Sequence, residues 1–203
     1  MILAGGRSQR MGGVDKAFLT LGGETLIART IARAKPQVGE LLINANGDSE
    51  RFAGFGLPVI PDAVGGFLGP VAGILAALEW MRAKRSQARW LASFSCDCPF
   101  FPIDLVDRLI DGAQHENVPV AIAASGARHH PVFAVWSSTI TATSQGALVD
   151  RGLRKMDDFV ALFLNARVGF ASDPIDPFFN INTPYDLAHA ETRLANDESF
   201  TRR

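Results

Sequence analysis

The amino-acid sequence predicts an α/β fold, with a mostly parallel sheet inside a single domain. Its 203 residues are 47% hydrophobic and 20% charged, a composition that allows one domain with a substantial core. Short apolar runs alternate with helical patterns along the chain, which is typical of parallel sheets covered by helices. No repeat or linker-like segment interrupts this alternation, so we expect one domain over residues 1–195, followed by a polar tail over 196–203.

The predicted strands are short apolar segments, several of them bounded by glycine, proline or aspartate. Segment 90–96 is the clearest, because its run of apolar and small residues ends at Asp97 and is soon followed by Pro99. In chain order, the predicted strands cover residues 2–4, 40–45, 57–60, 90–96, 118–123, 131–136 and 178–181.

The helices are predicted from apolar spacing and from signals at their first turns. In segment 25–35, Leu26, Ile27 and Ile31 lie on one stripe. Segment 70–84 begins with Pro70, and proline is favoured in a first helical turn because its missing N–H would have no partner there. In chain order, the predicted helices cover residues 25–35, 70–84, 103–113, 137–149, 153–164 and 184–194.

Charge, hydropathy and cysteine content exclude several classes of protein. The net charge is −1 at pH 7, so no basic field favours nucleic acid or an anionic membrane surface. No apolar run reaches the roughly 18 residues of a membrane span, and the first residues do not form a signal peptide. The two cysteines, Cys96 and Cys98, are expected to be free thiols. Together these features predict a cytoplasmic protein.

Segment 3–16, L-A-G-G-R-S-Q-R-M-G-G-V-D-K, is rich in glycine, and its basic residues include Arg10 and Lys16. Glycines let the backbone turn tightly and present N–H groups to an anion, while Arg10 and Lys16 can neutralise phosphate oxygens. A P-loop is excluded because Gly13 and Lys16 are not adjacent and Ala17 follows. The segment also lacks the dinucleotide-binding G-x-G-x-x-G. It therefore predicts a triphosphate site; the alternative is a surface loop with incidental basic residues.

Polar residues follow three of the predicted strands, where ligands bind in α/β sheets. Asp97 ends a buried strand and suits Mg²⁺, with Mn²⁺ as the alternative ion, since such a site needs one or two carboxylates besides substrate phosphates. Asp62 and Asn44 also end strands, and their side chains suit a ribose or a base edge. The alternatives are a helix cap for Asp97 and turns for Asp62 and Asn44.

The residues of the glycine-rich segment resemble the signature L-A-G-G-x-S-x-R-M-G-x-x-D-K of nucleotidyltransferases with the glycosyltransferase-A-like fold. Among them, the chain is most similar to the molybdenum cofactor guanylyltransferases. Further segments resemble that family in the same order: N-A-N at 44–46, V-I-P-D at 59–62, G-P-V-A-G at 69–73, C-D-C-P at 96–99 and N-I-N-T-P at 180–184. The resemblance covers nearly the whole chain.

The resemblance implies a Rossmann-like three-layer αβα sandwich and transfer of GMP from Mg²⁺-bound GTP to the terminal phosphate of a molybdopterin acceptor. It also implies hand-over from molybdenum-insertion proteins and delivery to apo-molybdoenzymes. The residues expected to be catalytic are Arg10, Lys16 and Asp97, with Asp97 as metal ligand. Those expected to bind the nucleotide are Leu3, Ala4, Gly5, Gly6, Gly13, Lys16, Asn44, Asp62 and Asp97. Those expected to bind the acceptor are Asn180, Asn182 and His130.

Purely structural roles for the predicted acceptor residues remain open. Asn182 or Thr183 fits the cap of the helix that begins at Pro184, and His130 fits a polar hairpin turn. Other functions also remain open: cytidylyl transfer to the same acceptor, sugar-phosphate nucleotidyl transfer, or a GTP-binding adaptor without catalysis. Cytidylyltransferase relatives usually carry alanine at the position of Gly5, so its glycine favours the bulkier purine.

Overall fold

The computed structural model describes residues 1–5, 15–64, 69–172 and 176–196. Within them, seven strands form one sheet in the order β5-β4-β1-β6-β8-β7-β9, and β2 and β3 form a separate hairpin. The strands are β1 (Ile2–Leu3), β2 (Thr20–Leu21), β3 (Glu24–Thr25), β4 (Ile43–Asn44), β5 (Val59–Ile60), β6 (Trp90–Ser95), β7 (Val120–Ser125), β8 (Arg128–Ser137) and β9 (Asn165–Phe170). The sheet is mostly parallel, since only β8 among these seven runs antiparallel to its neighbours.

The helices alternate with the strands as predicted. They are α1 (Leu26–Ala34), α2 (Pro70–Ala83), α3 (Leu105–His115), α4 (Thr141–Gln145), α5 (Met156–Val160) and α6 (Pro184–Asn196). Short 3₁₀ segments cover Lys16–Phe18, Lys35–Gln37, Glu50–Phe55 and Ser138–Ile140, and a π-helical turn covers Gly146–Asp150. Of the polar tail predicted over 196–203, Asn196 is the last residue of α6, and residues 197–203 lie outside the described residues. In the described part of the chain, none of the helices combines the length and apolar character needed to span a bilayer.

Helices cover both faces of the sheet, which confirms the predicted three-layer arrangement. Neighbouring residues of a strand point to opposite faces. Accordingly, Ile43 joins the core cluster formed with α1 and α3, whereas Leu42 joins the cluster formed with α2 and α5. In β7, Ala121 belongs to the cluster formed with α1 and α3, and Ile122 belongs to the cluster formed with α2 and α5. Because both faces are buried, the strands consist largely of apolar residues without strict alternation.

Two parts of the strand prediction were wrong. Residues 178–181 form no strand: Phe178 and Ile181 are buried and Asn180 is exposed, and the Ile181 N–H instead donates to the backbone oxygen of Asp97, at 2.8 Å. The edge position beside β7 is filled by β9, which the strand prediction missed although Ala166, Val168 and Phe170 alternate along it. The β2–β3 hairpin was also missed. Its turn glycines, Gly22 and Gly23, both have positive φ, and this is the pattern of a tight two-residue hairpin.

The fold brings the ends of four parallel strands to one edge of the sheet. In β1, Ile2 pairs with Ile43 of β4 on one side and with Phe94 of β6 on the other. In the same register, Asn44 of β4 pairs with Ile60 of β5. The residues that follow these strands therefore emerge side by side, which is where a crevice forms in α/β sheets.

Candidate active site

Lys16 and Asp97 face each other at this edge of the sheet. The Lys16 Nζ lies 3.7 Å from Asp97 Oδ2, and the two side chains are 21% and 22% exposed. The same ammonium donates to Asn182 Oδ1 at 2.5 Å. The sequence separates these three residues widely, yet the structure brings Lys16, the end of β6 and the segment before α6 into contact. A single triphosphate can therefore touch both Lys16 and Asp97.

The cleft at this point has a volume of about 210 Å³. It is lined by Leu3, Ala4, Gly5, Asp15, Lys16, Ala17, Pro70, Ser95, Cys96, Asp97 and Val132. Five of the residues predicted to bind the nucleotide belong to this lining: Leu3, Ala4, Gly5, Lys16 and Asp97. Gly6, Arg10 and Gly13 lie outside the described residues, so their roles stay predictions.

Asp97 is held in place by neighbours that the sequence did not single out. Ser95 Oγ donates to Asp97 Oδ1 at 2.5 Å, and Ile181 N–H donates to the Asp97 backbone oxygen at 2.8 Å. The Cys98 thiol donates to Asn180 Oδ1. Burial, followed by the charge of Asp97, raises the pKa of Cys98, so this thiol stays protonated and can act as a donor. The Cys98 thiol thus connects Asn180 to the end of β6, next to Asp97.

The cysteines are both buried, and they are free thiols as predicted. Burial also raises the pKa of Cys96, with the charge of Asp97 as the second cause. Neither thiol therefore ionises near neutral pH. Their place in the site is structural, with Cys96 in the cleft lining and Cys98 behind it.

Asp62, just past the end of β5, is held by two asparagines at and just past the end of β4. Asn44 Nδ2 donates to Asp62 Oδ1 at 3.1 Å, and Asn46 Nδ2 donates to Asp62 Oδ2 at 2.7 Å. The Asp62 N–H in turn donates to Asn46 Oδ1 at 3.0 Å. Asn44 is only 2% exposed, so its amide serves to orient Asp62. Whether either residue contacts a nucleotide stays a prediction. Asn46 was missed, although its spacing of two from Asn44 was a usable signal.

Helix α2 packs so closely against Asn44 that it leaves no room for a side chain at Gly73. A Cβ there would lie 2.3 Å from Asn44 Oδ1 and 2.7 Å from Leu3 Cδ2. Asn44 cannot move aside without giving up its hydrogen bonds to Asp62 and to the Ile60 carbonyl. We expect Gly73→Ala to cost about 1–3 kcal/mol of unfolding free energy and to weaken nucleotide binding, measured by denaturation and titration.

Gly112→Ala is the matched control for that substitution. Gly112 also lies in a helix, and a Cβ there would meet Val168 Cγ2 at 2.5 Å, away from the cleft. This control should lose stability but keep nucleotide affinity. Equal affinities for the two variants would show that the Gly73–Asn44 contact does not shape the site.

The segment before α6 presents Asn182 to Lys16 through a reciprocal cap. Asp186 Oδ2 accepts from the N–H groups of Asn182 and Thr183 at 2.9 and 2.8 Å, and Thr183 Oγ1 accepts from the Asp186 N–H. The Asn182 N–H is the largest cause of the lowered pKa of Asp186. Thr183 therefore caps the helix, and the Asn182 side chain is left to face Lys16.

His130 lies behind the Asn180 segment and is not among the residues that line the cleft. Its ring is 8% exposed and stacks on Phe178 with centroids 4.5 Å apart. Ser125 Oγ donates to Asp176 Oδ1 at 3.0 Å, so the His130 Nε2–H donates to Ser125 Oγ at 2.6 Å. Burial lowers the pKa of His130 below its ordinary value, which favours this neutral ring. Its predicted contact with an acceptor stays a prediction.

The donors around Asp97 suit a hard divalent cation. Among the described residues, no group of three or more His, Cys, Asp or Glu side chains could enclose a metal ion. A single carboxylate, with the amide oxygens of Asn180 and Asn182 nearby, is instead the donor set that Mg²⁺ accepts when phosphate oxygens and water complete its shell. Asp97 would then hold the ion together with the substrate.

Comparison with known proteins shows which family the chain resembles. Residues 1–163 match the model of the MobA-like NTP transferase domain. The molybdenum cofactor guanylyltransferase of Rhodopseudomonas palustris (strain BisB5) is 49% identical over 97% of this chain and 94% of its own length. That of Nitrobacter hamburgensis is 47% identical over 97% of this chain and 94% of its own length.

A solved structure shares the same fold. The crystal structure of molybdopterin-guanine dinucleotide biosynthesis protein A from Archaeoglobus fulgidus superposes with a TM-score of 0.73 and is 22% identical in sequence. The match covers 97% of this chain and 98% of the other.

Proposed function

Because the chain belongs to the MobA-like NTP transferase family, we propose that it transfers GMP from Mg²⁺-bound GTP to the terminal phosphate of molybdenum-bearing molybdopterin. The products are the guanine dinucleotide form of the cofactor and pyrophosphate. The observation that carries this proposal is the 3.7 Å approach of Lys16 Nζ to Asp97 Oδ2 in one cleft at the ends of the parallel strands. This pair offers an ammonium for phosphate oxygens and a carboxylate for a cation on the same substrate.

The reaction is an in-line displacement at the α-phosphorus of GTP. An oxygen of the acceptor phosphate forms a bond to that phosphorus, and the bond to the bridging oxygen breaks, so that pyrophosphate leaves with the electron pair. A phosphate monoester is already largely ionised near pH 7, so the site needs no strong general base. Catalysis then rests on positioning and on neutralising charge.

Different residues of the chain carry out the positioning and the charge neutralisation. Lys16, and Arg10 in the same segment, stabilise the triphosphate and the leaving pyrophosphate. Asp97 would hold Mg²⁺, which would supply Lewis-acid chemistry by lowering the negative charge of the substrate phosphates. Asp62, oriented by Asn44 and Asn46, fixes the nucleoside.

The remaining assignments concern the loop backbone and the acceptor side. The backbone from Leu3 to Gly6, with Gly13, lines the nucleotide. Asn180 and Asn182 contact the acceptor. His130 supports them from behind, through its stack on Phe178.

We assign the reaction to the cytoplasm and residues 1–195 to the catalytic domain. Molybdenum-insertion proteins would supply the acceptor, and apo-molybdoenzymes would receive the product. These assignments rest on the resemblance to the guanylyltransferase family.

The experiment that tests the function measures pyrophosphate release with each of the four nucleoside triphosphates, with and without molybdopterin. We expect release only when GTP, Mg²⁺ and the acceptor are all present. Release with CTP in place of GTP would support cytidylyl transfer. Binding of GTP without any release, in the presence of the acceptor, would support a delivery adaptor.

Gly5→Ala provides the matched variant for nucleotide choice. A Cβ at this position would lie 3.6 Å from Ala45 Cα and 3.7 Å from Asn46 N, which is ordinary contact, so the fold should tolerate it. Because Gly5 lines the cleft, we expect the methyl group to lower the preference for GTP over CTP. An unchanged preference would remove Gly5 from the choice between purine and pyrimidine.

A further inference from the structure

Asp15 places a negative charge in a cleft that has to receive a triphosphate. It lines the cleft directly before Lys16, and its side chain is 29% exposed. Its Oδ1 accepts from the Ala17 N–H at 3.1 Å and so begins the short 3₁₀ turn that carries Lys16. The carboxylate has a structural use here, yet uncompensated it would repel phosphate oxygens.

Arg51 compensates that charge from the other side of the cleft wall. Its Nη1 lies 2.6 Å from Asp15 Oδ2, and its Nη2 donates to the Asn46 backbone oxygen at 2.9 Å. Its guanidinium carbon also lies 4.8 Å from the centroid of the Phe52 ring. Two hydrogen bonds and a ring contact therefore hold the planar group in one orientation.

The same contacts connect the two halves of the nucleotide site. Asn46, whose carbonyl accepts from Arg51, is the residue whose side chain clamps Asp62. Asp15, which accepts from Arg51 on the other side, directly precedes Lys16. Arg51 thus lies between the triphosphate side and the nucleoside side of the cleft, although it does not line the cleft itself.

We propose that Arg51 is a positioning residue for nucleotide binding, which neutralises Asp15 and turns its carboxylate away from the triphosphate. The proposal deepens the proposed function, because it concerns the triphosphate that the transfer requires. It accounts for an acidic side chain inside an anion site, where a bare carboxylate would oppose binding.

The test compares Arg51→Gln with the double variant Asp15→Asn/Arg51→Gln. We expect Arg51→Gln to raise the KM for GTP about tenfold at low salt with little change in kcat, because an unpaired carboxylate then faces the triphosphate. The double variant should return to within about threefold of the unaltered protein, since the amide at residue 15 can still accept from the Ala17 N–H. The tenfold penalty should shrink as salt rises, because the pair is partly exposed.

Arg108→Gln is the matched control. Arg108 also pairs with an aspartate, Asp104, at 3.7 Å and donates to a backbone oxygen, that of Gly169, but it lies away from the cleft. Its replacement should leave the KM for GTP unchanged. Arg51→Lys, which keeps the charge without the planar fork, should fall between the unaltered protein and Arg51→Gln.

Two results would overturn the proposal: an unchanged KM in Arg51→Gln, or no recovery in the double variant. The direct affinity for Mg²⁺-bound GTP, measured by calorimetry, separates this failure from that of the proposed function. If the unaltered protein binds GTP but releases no pyrophosphate with the acceptor, the transfer reaction fails while the Arg51 comparison still stands on affinity.

Discussion

Asp97→Asn is expected to lower kcat/KM for pyrophosphate release by roughly 30- to 1,000-fold, or about 2–4 kcal/mol of transition-state stabilisation. Asparagine keeps the size of the side chain, and its oxygen can still accept from Ser95 Oγ. What it loses is the charge that pairs with Lys16 and, in the proposed mechanism, holds the cation. Steady-state kinetics over a series of Mg²⁺ concentrations measure the effect, and half-saturating Mg²⁺ should rise with it.

Asp104→Asn is the control for the aspartate substitution. Asp104 pairs with Arg108 on the surface at the start of α3, and its side chain is 56% exposed. Losing that pair should leave both kcat/KM and the Mg²⁺ dependence unchanged. If Asp97→Asn retained the Mg²⁺ dependence of the unaltered protein, Asp97 would not be the metal ligand.

Lys16→Met is expected to cost a similar 2–4 kcal/mol of transition-state stabilisation, roughly 30- to 1,000-fold in kcat/KM. Methionine preserves most of the aliphatic stem and removes the ammonium that contacts Asp97 and Asn182. In the proposed mechanism that ammonium stabilises the charge on the leaving pyrophosphate, so kcat should fall more than the affinity for GTP. Single-turnover kinetics and GTP titration separate the two effects.

Lys84→Met serves as the control for the lysine substitution, since Lys84 lies past the end of α2 with its Nζ 5.8 Å from the Trp80 ring centroid. The Lys84→Met substitution should leave both kcat and the affinity for GTP unaltered. Combining Lys16→Met with Asp97→Asn should cost less than the sum of the single effects, because the two groups act on one substrate. Strict additivity would indicate that they act independently and would contradict a shared triphosphate.

The alternation of apolar runs and helical patterns was sufficient to predict the α/β class and the parallel sheet. It also indicated the edge of the sheet that carries the candidate site, because residues that follow parallel strands emerge at the same edge. These features follow from the order of apolar and polar residues, because a folded chain has to bury its apolar stripes and strands. The roles of the acidic residues drew further support from the resemblance to a known family.

The edge strand beside β7 could not be predicted from local sequence patterns. Residues 178–181 are apolar enough for a strand, yet β9 takes the place beside β7. Which segment forms the edge strand depends on which one reaches the unpaired backbone N–H and C=O groups of the neighbouring strand. That in turn depends on the path of the whole chain. The displaced segment uses its Ile181 N–H on the Asp97 backbone oxygen instead, and so delivers Asn180 and Asn182 to the cleft.

Residue order alone therefore predicted the class of fold, the edge that carries the cleft and the pair of opposite charges within it. The side chains that orient the acidic residues of the site could be identified only from the folded structure. Ser95 and Cys98 lie beside Asp97, Asn46 holds Asp62, and Arg51 pairs with Asp15. Their physical reason is the same in each case. A hydrogen bond or an ion pair acts over about 3–4 Å, so its partner can come from anywhere in the chain, and only the folded backbone determines which side chain comes within that distance.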